Sequence, residues 1–158
     1  MSHSAVETLA PAPELLDYIA DHLRDQDRVE IAALGKTDFR AALHQSVAES
    51  RWSRIAMFNA EPIAVFGCGE YGSLLAPIGV PWLLGTEAVQ TRRRDLMRLS
   101  RRYISTMLQD YPRLMNAVHA DNSVSIAWLQ RLGFRMRPPI AVPPHGARFH
   151  VFEMYRHV

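Results

Sequence analysis

Of the 158 residues one is cysteine and one is lysine, and no run of about eighteen apolar residues occurs anywhere. The single Cys68 has no partner for an internal disulfide. In its setting, VFGCGE, no basic neighbour lowers the thiol pKa, so it reads as a small buried hydrophobe in a strand. The missing apolar run excludes a membrane-spanning helix, and MSHSAVETLAPAPELL lacks the basic, apolar, small-residue order of a signal peptide. A cytosol-like compartment is expected. The seven histidines (His3, His22, His44, His119, His145, His150 and His157) have no spacing that pairs them with cysteines or carboxylates as metal ligands, so no metal is expected.

What is present is an ordinary globular composition, 48% hydrophobic and 22% charged, in a chain long enough to bury about 70% of its unfolded surface. One domain, 1–158, is expected, with residues 1–30 either part of it or docked on a neighbour. The net charge of +2 conceals a polarity: residues 1–50 carry nine acidic and four basic side chains, residues 91–158 four acidic and twelve basic. Seventeen of the eighteen basic residues are arginine, which fits bidentate anion recognition or a genome rich in G and C.

Apolar spacing gives a coarse order. AVETLA (5–10) is a short strand, and Leu15, Leu16, Ile19 and Leu23 mark a helix opened by proline. RVEIAALG extends that helix or forms an irregular link. TDFRAALHQSVAES is a second helix, with Gly35 between the two. SRIAMFNAEPIAVFGCGEYG reads as two strands joined by a tight turn, with Pro62 near a strand start, and GVPWLLG (79–85) as a third strand. A long amphipathic helix follows from about Thr91 to Tyr111, ended by Pro112. RLMNAVHA (113–120) is a strand, NSVSIAWLQRLG a helix between Asn122 as N-cap and Gly133 as C-cap, and RFHVFEMYR (148–156) the last strand. RPPIAVPPHGA (137–147) is a stiff, extended loop or a docking arm. Trp82 and Trp128 belong to the core, and Trp52 to the core or to a partner surface. Alternation of helices and strands in the second half predicts an α+β fold, a mixed sheet with helices on both faces.

The stretch NAVHADNSVSIAWLQRLGF resembles the penultimate strand and helix of the GNAT N-acetyltransferase superfamily, in which an Asn opens that helix and LGF closes it. The element order and the NAEPIAVFG hairpin fit the same family. The resemblance implies a GNAT-like fold and binding of acyl-CoA, its pyrophosphate held on a glycine-rich turn between the strand ending at Gly85 and the long helix. Here that turn reads WLLGTEAVQTRRRDLMRL, with Gly85 alone and Glu87 close by. The family's basic-or-Gln, x, x, Gly, x, Gly-or-Ala pattern is missing. Gly85, Arg92, Arg93 and Arg94 are the candidates for the phosphates, and Asn122 for the pantetheine. The family's tyrosine acid falls on Leu129, and IGVPWLLG holds no carboxylate to act as base. Glu70, His119 and Asp121 are the remaining catalytic candidates.

A narrower resemblance rests on GVPWLLGTE, the basic helix and YPRLMNAVHADN, which are similar to the acetyltransferase-like internal virion or head-tail proteins of short-tailed bacteriophages. It implies a structural, catalytically degenerate protein without a cofactor, found in the bacterial host cytoplasm during assembly and then in the virion. Its partners would be other virion proteins or further copies of itself. The alternative is an active acyl-CoA-dependent N-acyltransferase using acetyl-CoA. Arg94, Arg98, Arg101 and Arg102 form one stripe at i, i+4, i+7 and i+8, a solvated face or a surface for non-specific DNA or a host protein. No membrane partner is expected.

Overall fold

The computed structural model describes residues 5–157. Strand β1 (Glu7–Leu9) is followed by helices α1 (Pro13–Asp21), α2 (Asp25–Ala33) and α3 (Phe39–Glu49), then strands β2 (Trp52–Phe58), β3 (Glu61–Ser73) and β4 (Ala76–Gly85). The chain continues through α4 (Ala88–Thr91), α5 (Arg93–Asp110), β5 (Arg113–His119), α6 (Ser123–Leu132), β6 (Arg135–Met136), β7 (Ile140–Val142) and β8 (Ala147–Tyr155). The eight strands form one mixed sheet in the order β1-β2-β3-β4-β5-β8-β6, with β7 also on β8. Helices cover both faces, as the alternation predicts.

Local chemistry accounts for most boundaries. Asn59 and Ala60 both take positive φ (49° and 63°), the geometry of a two-residue hairpin turn matched to strand twist. The Asp38 carboxylate accepts from Ala41 N–H at 3.0 Å to open α3. The Asn122 amide oxygen accepts from Ser125 N–H at 3.1 Å to open α6, and Gly133 closes it at φ 104°.

The structure corrects the expected order in two places. RVEIAALG neither extends the first helix nor forms an irregular link. It is α2, because Leu23 breaks away to bridge Thr86 and the chain restarts at Arg24, so Gly35 (φ 85°) separates α2 from α3. The long helix expected from about Thr91 to Tyr111 is α5, and the short α4 precedes it with a break at Arg92. The stretch 137–147 is not wholly extended loop: β7 and the following turn fold back on β8. Inside that turn, Pro144 packs on Gly35, where an added Cβ would lie 2.9 Å from the proline Cγ.

Two apolar layers fix the sheet. On one face Leu16, Ile19 and Leu23 of the α1 segment pack with Ile31, Leu43, Ile55 and Val65, so this part of the first 30 residues is core. On the other, α5 and α6 cover Phe66, Leu114, Val118, Phe134 and Phe152. Trp52 belongs here, packed edge-on to Phe66 and against Tyr103. Cys68 is fully buried in β3, and burial pushes its thiol up to about 11.

Candidate functional site

Strands β4 and β5 run parallel and share one register pair, Gly79 with Leu114. At that point the strands meet so closely that a Cβ on Gly79 would stand 2.7 Å from Leu114 Cδ2 and 2.8 Å from Tyr111 Cδ2. Beyond it they diverge and leave a wedge, whose backbone edges need other partners. Side chains supply most of them. The Asn116 carboxamide spans the gap, donating to Pro81 C=O at 2.9 Å and accepting from Ala117 N–H at 2.8 Å. At the far end of β4, Gly85 N–H donates to the Asp27 carboxylate at 2.8 Å, and Gly85 C=O accepts from Arg24 N–H at 2.9 Å. Pro81 and Gly85 thus turn the same backbone edge toward β5, and strand alternation puts Leu83 N–H and C=O on that edge between them.

On the other side of the wedge, Glu30 of α2 reaches the end of β5. Its Oε1 accepts from His119 N–H and from Asn122 Nδ2, both at 3.0 Å. Its Oε2 makes no hydrogen bond within the described residues. Burial raises the Glu30 pKa, and the charge of Asp27 adds to the rise. The two donated hydrogen bonds oppose it without cancelling it. Asp27, by contrast, is locked by a two-pronged pair with Arg24, 3.0 Å at each oxygen, and by Gly85 N–H.

A cavity of about 310 Å³ passes through the wedge. Glu30, Ile31 and Trp82 line it on the α1–α3 face, Asn116 lies at its waist, and Tyr103, Trp128 and Phe152 line it on the α5–α6 face. The passage thus opens between two parallel strands with the Glu30 carboxylate at one side.

No family model matches the sequence, and no curated protein matches it either. Solved structures do. A GNAT-family acetyltransferase from Bacillus anthracis superposes with TM-score 0.74 at 8% identity, covering 99% of this chain and 98% of that one. The chain has the GNAT acetyltransferase fold. Ard1 from Thermoplasma volcanium gives TM-score 0.72 at 10% identity over 98% and 99% of the two chains. An aminoglycoside acetyltransferase in complex with coenzyme A gives 0.69 at 17% over 96% and 95%.

Within this GNAT frame the residues singled out from sequence fall in different places. Glu70 lies on β3 opposite Gly79, at the closed end of the wedge, where its carboxylate accepts from Tyr111 OH at 2.9 Å. It does not line the cavity. Nor do His119, whose backbone N–H reaches Glu30, and Asp121: the His119 ring accepts from Asp121 N–H at 3.1 Å and packs on Phe149. Asn122 is buried and joins the Glu30 carboxylate to the start of α6. Gly85 has both backbone groups committed, and a Cβ there would lie 2.5 Å from Val89 Cγ2, so its smallness serves strand-to-helix packing. Arg92 covers the Phe58 ring at 3.5 Å. Arg93 lines the cavity, and both Arg93 and Arg94 are exposed at the first turn of α5 without an ion pair among the described residues. Leu129, where the family's tyrosine falls, also lines it.

Sequence reading missed Glu30, Asp27 and Asn116. The spacing Asp27, Glu30, Ile31 places two carboxylates and an apolar residue on one helical face. That signal is readable once α2 is taken as a helix.

Proposed function

We propose that this protein is an acyl-CoA-dependent N-acyltransferase with Glu30 as the general base. The observation that carries the reading is the cavity through the β4–β5 wedge, which brings a half-buried carboxylate of raised pKa beside a strand edge left for a ligand. Leu83 C=O can accept from an extended amide-bearing molecule along this edge, which leaves Leu83 N–H for a carbonyl oxygen. Arg93, Arg94 and the first N–H groups of α5 provide positive charge for phosphates. Bound acyl-CoA would supply an activated thioester carbonyl.

The chain's own part is then positional and acid–base. Leu83 N–H holds the carbonyl oxygen of the donor. Glu30 Oε2 takes the proton of the acceptor amine while Oε1 stays pinned by His119 and Asn122, and its raised pKa makes it a better base than a free carboxylate. Leu129 has no proton for the leaving thiolate, which takes one from solvent. The test is thiol release from acetyl-CoA across a panel of amines and N-terminal peptides. Turnover that falls about 100-fold or more in Glu30→Gln with acetyl-CoA affinity unchanged supports the assignment. Turnover unaffected by the change removes Glu30 from it.

A second reading is favoured by the turn before α5. Gly85 N–H is already spent on Asp27, and arginines stand where glycines would cradle a pyrophosphate. On this reading the molecule is a catalytically silent phage virion component acting through protein contacts. Arg94, Arg98, Arg101 and Arg102 would then meet DNA or an acidic partner. Failure to bind acetyl-CoA, together with co-purification with intact particles, would decide for it.

A further inference from the structure

The cavity has two unlike ends. The charged side chains that line it, among them Arg24, Asp27, Glu30 and Arg93, come from the segment around α2 and the start of α5. Beneath the second half of α5 and α6 its wall is Ile104, Met107, Leu129, Leu132, Phe134 and Phe152, with no charged group. The Tyr103 hydroxyl, close to this end, is occupied with the Thr8 hydroxyl at 3.3 Å. Asn116 stands between the two ends with its carboxamide spent on Pro81 and Ala117.

Protein interiors are packed to crystal density, and an empty apolar space forfeits contacts along its whole wall. Such a space stays dry and takes apolar molecules. An amide-bearing arm laid among these side chains would leave its N–H and C=O unpaired, at a cost a hydrocarbon chain does not incur. We infer that the α5–α6 end of the cavity is a binding site for an aliphatic acyl chain longer than acetyl, with the carbonyl end at the wedge. The donor's class is then a medium-chain acyl thioester. That last step rests on the acyltransferase reading, whereas the chain site itself rests on the wall alone.

The experiment measures thermal unfolding and the fluorescence of Trp82 and Trp128, which both line the cavity, with octanoate, acetyl-CoA and octanoyl-CoA. A ligand at about 100 times its Kd raises Tm by roughly 5 to 10 °C in a domain of this size. The inference expects that rise with octanoate and with octanoyl-CoA, and a smaller one with acetyl-CoA. Ile104→Phe and Leu129→Phe, tested separately, should remove the octanoate response, and whichever variant keeps a cooperative unfolding transition reports. An octanoate response that survives both fillings, or no response to octanoate while acetyl-CoA still binds, overturns the chain site and leaves the transferase reading standing. Octanoate binding without response to either thioester keeps the chain site and removes the transferase. No response to any of the three removes both.

Discussion

Asn122 Nδ2 donates to Glu30 Oε1 at 3.0 Å, joining helix α2 to the cap of α6 across 92 positions of chain. The same side chain does two things at once, since its oxygen accepts from Ser125 N–H. Replacing it with alanine removes the cap and leaves the Glu30 carboxylate with one donor. Asn122→Ala is expected to cost about 1 to 3 kcal/mol, read from urea unfolding. Asn122→Asp should cost no less, because it keeps the cap but sets a carboxylate against Glu30.

Glu30→Gln should preserve the fold, because the Gln side-chain oxygen can still accept from His119 and Asn122. The native pKa of Glu30 lies above its unfolded value, so its contribution is fully present below the unfolded pKa and is lost as pH rises through the folded one. The Tm of the variant relative to the parent should therefore climb as pH increases from about 4 toward neutrality. A flat or falling difference would show that the carboxylate gains more from its donors than it loses to burial.

Glu153 has the opposite sign. Burial works to raise its pKa, but hydrogen bonds from Arg113 at 2.6 Å and Arg137 at 2.9 Å outweigh this and lower it. Its contribution is present above the unfolded pKa and disappears as pH falls through the folded one. Glu153→Gln should thus destabilise at neutral pH, by about 2 to 4 kcal/mol if the two guanidinium groups stay in place. The gap should narrow in acid, as measured by denaturant midpoints at a series of pH values.

Gly79→Ala places a methyl group 2.7 Å from Leu114 and 2.8 Å from Tyr111, at the only backbone pairing between β4 and β5. A destabilisation of about 1 to 3 kcal/mol is expected from overpacking. Gly69→Ala is the control on the neighbouring strand, where the nearest atom, Val80 Cβ, is 3.6 Å away. If the two variants unfold at the same denaturant concentration, the close approach at Gly79 is not what holds the strands together.

The parts of this fold that could be read from sequence are those held by chemistry within a few residues. Asn122 and Gly133 mark α6 to the residue, and Pro112 lies two residues past the end of α5. The NAE segment supplies the turn at Asn59 and Ala60. What escaped reading is held at long range. Helix α2 buries only Asp27 and Ile31, and the Asp27 partner, Gly85 N–H, is 58 residues away. Strands β6 and β7 have two and three residues and exist because β8 offers them an edge. The candidate base was hidden for the same reason: Glu30 gains its meaning from His119 and Asn122, which lie in the other half of the chain.

The single register pair between β4 and β5 also divides the molecule into two plates with a seam between them. On one side lies the antiparallel meander β1–β4 with its three helices, drawn largely from the acidic part of the sequence. On the other lies β5–β8, drawn from the basic part. Past that pair the seam is held by side-chain stitches, Asn116 to Pro81 and Glu30 to the β5–α6 corner, and by the apolar cluster that Cys68 of β3 shares with Leu114, Val118 and Phe152. Removing a stitch, as in Asn116→Ala, should loosen the seam before it loosens the sheet on either side.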